Sequence, residues 1–123
     1  MPVKPLADPR AARLIASLAL MYLRHSDAPR AVVLGIAAMK LAPCTPALAL
    51  TVGTAFLRVG DAEQALAVLS RFDGGVARLS QDPDLTEQVA ALTLRAKAHH
   101  RLGQPDRARA ILSEADVLRR RLP

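Results

Sequence analysis

The most constraining feature of this sequence is an echo of itself at a distance of 34 residues. Tyr22 returns as Phe56, Leu23 as Leu57, Arg24 as Arg58, Asp27 as Asp61, Ala28 as Ala62 and Ala31 as Ala65, and Ala19 is answered by Gly53. A period of this length is that of one helix–turn–helix unit, which cannot bury its apolar face alone and therefore stacks on its neighbours. The echo continues at a spacing of 43, from Arg58 to Arg101, Gly60 to Gly103, Ala65 to Ala108 and Leu69 to Leu112. The nine added residues fall within residues 73–88, where Gly74-Gly75 and Asp82-Pro83-Asp84 are strong helix punctuation. The pattern predicts an all-α chain of three stacked units with one lengthened connection.

Start and stop signals divide the units into six helices. Asp8-Pro9 pairs an N-cap with proline at the first helical position and opens a helix that runs to about His25. Asp27 caps a second helix, ending near Leu41 ahead of Pro43, and Thr45-Pro46 starts a third that stops at Val59-Gly60. Asp61 caps a fourth to about Phe72. Asp84 or Thr86 opens a fifth that ends at Leu102-Gly103, and Pro105 opens a sixth to about Arg120. Residues 1–7, with Pro2 and Pro5, read as a flexible arm ahead of one domain over residues 8–123.

Composition narrows the function. Hydrophobic residues make up 51% and aromatics 2%, so Ala, Leu and Val must fill the core, and few rings exist on which bases could stack. The net charge of +6, mostly arginine, favours acidic partners. Arginines spread over several faces argue against a nucleic-acid reader, and the Arg119-Arg120-Arg121 run complements a helix C-terminus. Cys44 is the single cysteine, so no internal disulfide exists, and it reads as a free thiol at a repeat junction. The apolar stretch over residues 14–23 coincides with a repeat helix and is shorter than the roughly 20 residues a membrane span needs. The expected location is cytoplasmic, without membrane insertion.

No constellation carries chemistry. His99 and His100 are adjacent and leave a helix in different directions, whereas a metal pair on one helix wants a spacing of four. Gly74-Gly75 lacks the Lys and Ser/Thr of a phosphate loop. The expectation is a protein that is not an enzyme and uses no metal or cofactor.

The repeat resembles the tetratricopeptide repeat. Over residues 12–45, Ala19, Ala31, Ala38 and Pro43 match its small, small, small and proline positions. Over residues 46–88, Gly53, Ala65 and Leu69 match, and Phe72 departs. Over residues 89–122, Ala96, Ala108, Leu112 and Ala115 match. Gly35, where a larger residue is usual, is a second departure. The resemblance implies three helix–turn–helix repeats in a short right-handed superhelix whose first helices line a concave groove. Carried over residue by residue, that groove takes Arg13, Leu20, Leu23 and Arg24 from the first repeat. It takes Leu50, Thr54, Leu57 and Arg58 from the second, and Lys97, His100 and Arg101 from the third. The implied surface has a leucine floor and a cationic edge, complementary to an amphipathic helix bearing acidic residues. The chain has no Asn, which sets it apart from the Lys/Asn clamp that holds chaperone C-termini.

The short arm, the three repeats over nearly the whole chain, and the segments 22–31 and 102–110 are similar to the small cytoplasmic chaperones of type III secretion systems. Two types stand open, the one that escorts a small early-exported component (YscY type) and the needle-subunit chaperone (YscG type). The resemblance implies a small helical export substrate held soluble in the groove as a heterodimer, and some members of that group also dock on the export gate. The last helix carries Ile111, Leu112, Val117, Leu118 and Leu122, more apolar surface than one neighbour covers, so something further is expected to pack there: a second copy in a dimer, a partner, or part of a larger complex.

Overall fold

The computed structural model describes residues 9–74 and 78–123. The N-terminal arm, the Asp8 cap and Gly75 lie outside the described residues. Six α-helices follow in order, α1 Pro9–Arg24, α2 Ala28–Leu41, α3 Pro46–Arg58, α4 Ala62–Leu69, α5 Leu85–Arg101 and α6 Pro105–Arg119. There is no strand among the described residues. Each odd helix pairs with the next even one. In addition α3 packs on both α1 and α2, and α5 on both α3 and α4. The result is a stack of three hairpins in which each new first helix sits on the hairpin before it.

The helices begin where side-chain oxygens satisfy orphan amides. Asp27 accepts from the Arg30 amide at 3.3 Å, Thr45 from Leu48 at 3.1 Å and Asp61 from Gln64 at 3.1 Å. Helix α5 opens with a reciprocal capping box, Glu87 N to Asp84 Oδ1 at 2.8 Å and Asp84 N to Glu87 Oε1 at 2.9 Å. Asp84, rather than Thr86, is therefore its cap.

All three hairpins share one turn. The amides of Asp27, Asp61 and Gln104 reach back to the carbonyls of Tyr22, Phe56 and His99 at 2.8–2.9 Å, closing the last turn of each first helix. The residue that makes this reversal has positive φ each time: Ser26 at 63°, Gly60 at 87° and Gly103 at 76°. Glycine takes this conformation freely and serine does not, so the first turn carries strain the other two avoid.

Small residues set the interhelical distances. Ala19, Ala49, Ala55, Ala65, Ala98 and Ala115 are fully buried. Gly35 has a structural explanation. A Cβ built there would stand 2.4 Å from Val52 Cγ2, so α2 has given up a side chain to let α3 insert Val52. At the corresponding site in the second repeat Leu69 is present and faces Gly53, where a Cβ would meet its side chain at 3.0–3.4 Å.

The insertion departs from the expected pattern. Helix α4 ends at Leu69, earlier than expected, and continues as a 3-10 turn over Ser70–Asp73 that Gly74 closes at φ 82°. The connection then returns to the stack. Leu79 is 8% exposed and belongs to the same buried cluster as Cys44 and Leu48, and the Ser80 amide donates to the Cys44 carbonyl at 2.8 Å. Arg95 holds the near end of the insertion, donating to both carboxylate oxygens of Asp73 at 2.9 and 2.5 Å. Cys44 is buried, and that burial pushes its thiol above the ordinary value, with the Arg71 charge opposing.

Candidate protein-binding site

The repeat-to-repeat joint is the unit from which the site is built. At the first joint, Ala55 of α3 is buried against Leu23, Ala28 and Ala31, with Val32 packed alongside. At the second, Ala98 of α5 lies in the cluster that holds Leu57, Ala62 and Ala65, with Leu66 alongside. A polar clamp accompanies the apolar contact. Arg58 Nη1 donates to the Leu23 carbonyl at 2.8 Å, and Arg101 Nη1 donates to the Leu57 carbonyl. Each arginine thus satisfies an acceptor in the last turn of the helix before it.

These joints correct part of the sequence-based groove. Leu23 and Leu57, expected on an open floor, are 6% and 4% exposed because the next hairpin covers them. Arg58 and Arg101, expected as a free cationic edge, each commit a donor to the stack. Leu20, Leu50 and Thr54 are half-buried, and the Thr54 hydroxyl donates to its own helix at the Leu50 carbonyl, 2.8 Å away. Arg24 shares a surface hollow with Arg58 at the hairpin turns. Arg13 lines a separate cavity of about 400 Å3 between α1, the end of α2 and the start of α3. The eleven residues therefore do not form one groove.

Three of them do converge. Lys97, His100 and Arg101 line a cleft of about 470 Å3 between α5 and α6, with Thr93, Ala96, Pro105, Ala108, Arg109 and Leu112 completing it. Position by position this is the cleft that receives α3 in the first repeat and α5 in the second. His100 stands where Leu23 and Leu57 stand, Ala108 where Ala31 and Ala65 stand, and Arg109 where Val32 and Leu66 stand. Its floor is apolar, with buried Ala96 and Ala108 and exposed Leu112, and its rim carries exposed Lys97, His100, Arg101 and Arg109. The sequence reading missed Arg109 and Leu112 as part of this surface. The signal was present in the repeat alignment, where two aliphatic positions turn basic only in the third unit.

The other end of the stack shows the complementary half of the joint. Leu14 and Met21 are 63% and 44% exposed on α1, although their counterparts Leu48 and Ala55 are 7% and 0% exposed in α3. On α6 the expected apolar excess reduces to Leu112 and Val117, 42% and 54% exposed, while Ile111 and Leu118, and Leu122 just past the helix end, are half-buried.

Among the described residues no group of three or more His, Cys, Asp or Glu side chains gathers as a metal site would. No helix among them is long and apolar enough to cross a membrane.

Comparison with known proteins agrees with this geometry at one place in the chain. A family model described as Tetratricopeptide repeat matches residues 89–114, which are most of α5, its turn and most of α6. No curated protein and no solved structure matches the chain at a significant level. The matched unit and the two further hairpins stacked on it form an all-α array whose packing is consistent with tetratricopeptide-like helical repeats.

Proposed function

We propose that this chain is a binding protein without catalysis that receives a helix of a partner protein. One observation carries the proposal. The first two hairpins each hold a helix in the cleft between their paired helices, while the equivalent cleft of the third is open among the described residues.

The more specific reading is a cytoplasmic type III secretion chaperone that masks an amphipathic helix of a small exported protein and presents it to the export gate. Its support is the resemblance of the short three-repeat chain to that group, together with a cleft that has both an apolar floor and a charged rim. Masking such a helix is favourable at about 25 cal/mol per Å2 of apolar area buried, less the cost of ordering the client. Affinity purification from the native cell, with intact-mass identification of what co-purifies, tests this reading. The chaperone role requires one small helical protein at one-to-one that becomes insoluble or is degraded when this chain is deleted. A partner that stays soluble and abundant without it contradicts the role.

A second reading, a generic adaptor or regulator, is favoured by the exposed Leu14 and Met21 on α1, at the opposite end of the stack from the open cleft. An adaptor would use both ends and would join two proteins that are each stable alone.

A further inference from the structure

We infer that the occupant of the α5–α6 cleft is an acidic amphipathic helix of a partner protein, seated as a fourth layer of the stack. The inference rests on the binding role proposed above and adds the chemistry of the bound segment.

The cleft keeps what a helix needs for close approach. Ala96 and Ala108 are buried, as are Gly53 and Ala65 in the second repeat and Ala19 and Ala31 in the first. A ridge residue such as Ala55 or Ala98 has an equivalent seat there. An acceptor also waits at the joint. The Leu23 and Leu57 carbonyls each take a guanidinium as well as a backbone amide, whereas the corresponding His100 carbonyl takes only backbone amides, from Leu102 and Gly103.

What changes is charge. Position 54 is Thr, 57 is Leu and 66 is Leu, and their third-repeat counterparts are Lys97, His100 and Arg109. Arg109 pairs with exposed Asp106 at 3.0 Å on its own helix, and among the described residues neither Lys97 nor Arg101 has a carboxylate within salt-bridge distance. A neutral ridge would leave these cations facing an apolar helix, whereas carboxylates flanking the ridge would pair with them. A second copy does not supply them. Helix α1, whose exposed Leu14 and Met21 make it the docking ridge of a copy, contains no acidic residue and carries Arg10, Arg13 and Arg24. Head-to-tail packing would therefore place cation against cation.

The test uses the full-length protein and two synthetic peptides with the sequence of residues 45–60, the segment that fills the first cleft. One is unchanged. The other carries Ala47→Glu, Thr51→Glu and Thr54→Glu at positions flanking the buried Leu48, Val52 and Ala55 ridge. The acidic peptide is expected to bind about tenfold or more tightly than the unchanged one, and to lose that advantage as salt rises. Lys97→Thr, His100→Leu and Arg109→Leu together graft the second repeat's residues onto the third and are expected to reverse the preference. The salt dependence of the unaltered protein keeps the test decisive should that variant fold poorly. Equal affinity for the two peptides, binding of neither, or an acidic-peptide preference the graft leaves intact would overturn the inference. So would a concentration-dependent dimer of the protein alone that the graft abolishes. Any of these outcomes beside successful co-purification of a protein partner would remove the cleft chemistry and leave the binding role standing.

Discussion

Arg58 reaches across a repeat boundary to donate its guanidinium to the main-chain carbonyl of Leu23 at 2.8 Å, and Arg101 repeats the gesture toward Leu57. The arginine that recurs at 24, 58 and 101 is therefore a joint residue, and only Arg24 has no helix before it among the described residues to clamp. Removing the clamp should cost stability at one position and not at the other. Arg58→Met is expected to destabilise by about 1 kcal/mol, below the roughly 1.5–3 kcal/mol of a charged hydrogen bond because the side chain is exposed. Arg24→Met should change little. Urea unfolding of the two variants checks this, and equal losses would show that the clamp contributes nothing.

The strained turn gives a prediction of opposite sign. Ser26 holds φ 63° at the position glycine fills in the other two hairpins. Ser26→Gly is expected to stabilise by about 0.5–1 kcal/mol, which raises Tm by a few degrees. A lower Tm would mean that the serine side chain contributes more than its backbone costs.

Gly35 and Val52 form a size-matched pair. Val52 is fully buried and β-branched, so it cannot swing away from a methyl group 2.4 Å distant. Gly35→Ala should cost about 1–3 kcal/mol through overpacking. Adding Val52→Ala should cost less than the sum of the two single changes, because the second removes the atoms with which the first collides. Additive losses in a double-mutant cycle would contradict the contact.

Leu57→Glu looks from the sequence like a surface change in the groove. Because Leu57 is 4% exposed beneath the α5 joint, the carboxylate would be buried without a partner. The variant is expected to lose at least about 3 kcal/mol and to report on folding rather than on binding. A cooperatively folded variant of near-normal stability, judged by circular dichroism and thermal melting, would contradict the burial.

The Cys44 thiol ties stability to pH. Burial raises its pKa above the ordinary 9.0, so above that pH the unfolded chain loses the proton first. Stability is therefore complete below the ordinary value and falls as pH climbs through it toward the raised one. Cys44→Ala should flatten that fall. Urea midpoints measured on either side of pH 9.0 in both proteins test this, and identical slopes would contradict it.

Much of the fold was legible because the chain repeats itself. Asp27, Thr45, Asp61 and Asp84 cap helices where the pattern placed them, and Gly60 and Gly103 turn the chain as expected. The early end of α4 and the return of Leu79 to the core were not legible, since the insertion has no counterpart in another repeat and its anchor on the Cys44 carbonyl is tertiary. The site was legible only in part. In a stack, an apolar position on a first helix serves either the groove or the next joint, and hydrophobicity does not separate the two. Leu23 and Leu57 were misplaced for that reason. The basic replacements at 97, 100 and 109 were visible in the aligned repeats but acquire meaning only once the cleft they border is known to hold a helix elsewhere.

The most direct measurement is a side-by-side purification from the native cell of the tagged protein and its Lys97→Glu/Arg109→Glu variant. Both residues are exposed, so the fold should survive, as circular dichroism would verify. One helical protein is expected to co-purify with the unaltered chain in stoichiometric amount and to be lost from the variant. Recovery of the same partner by both proteins, or of nucleic acid in place of a protein, would contradict it.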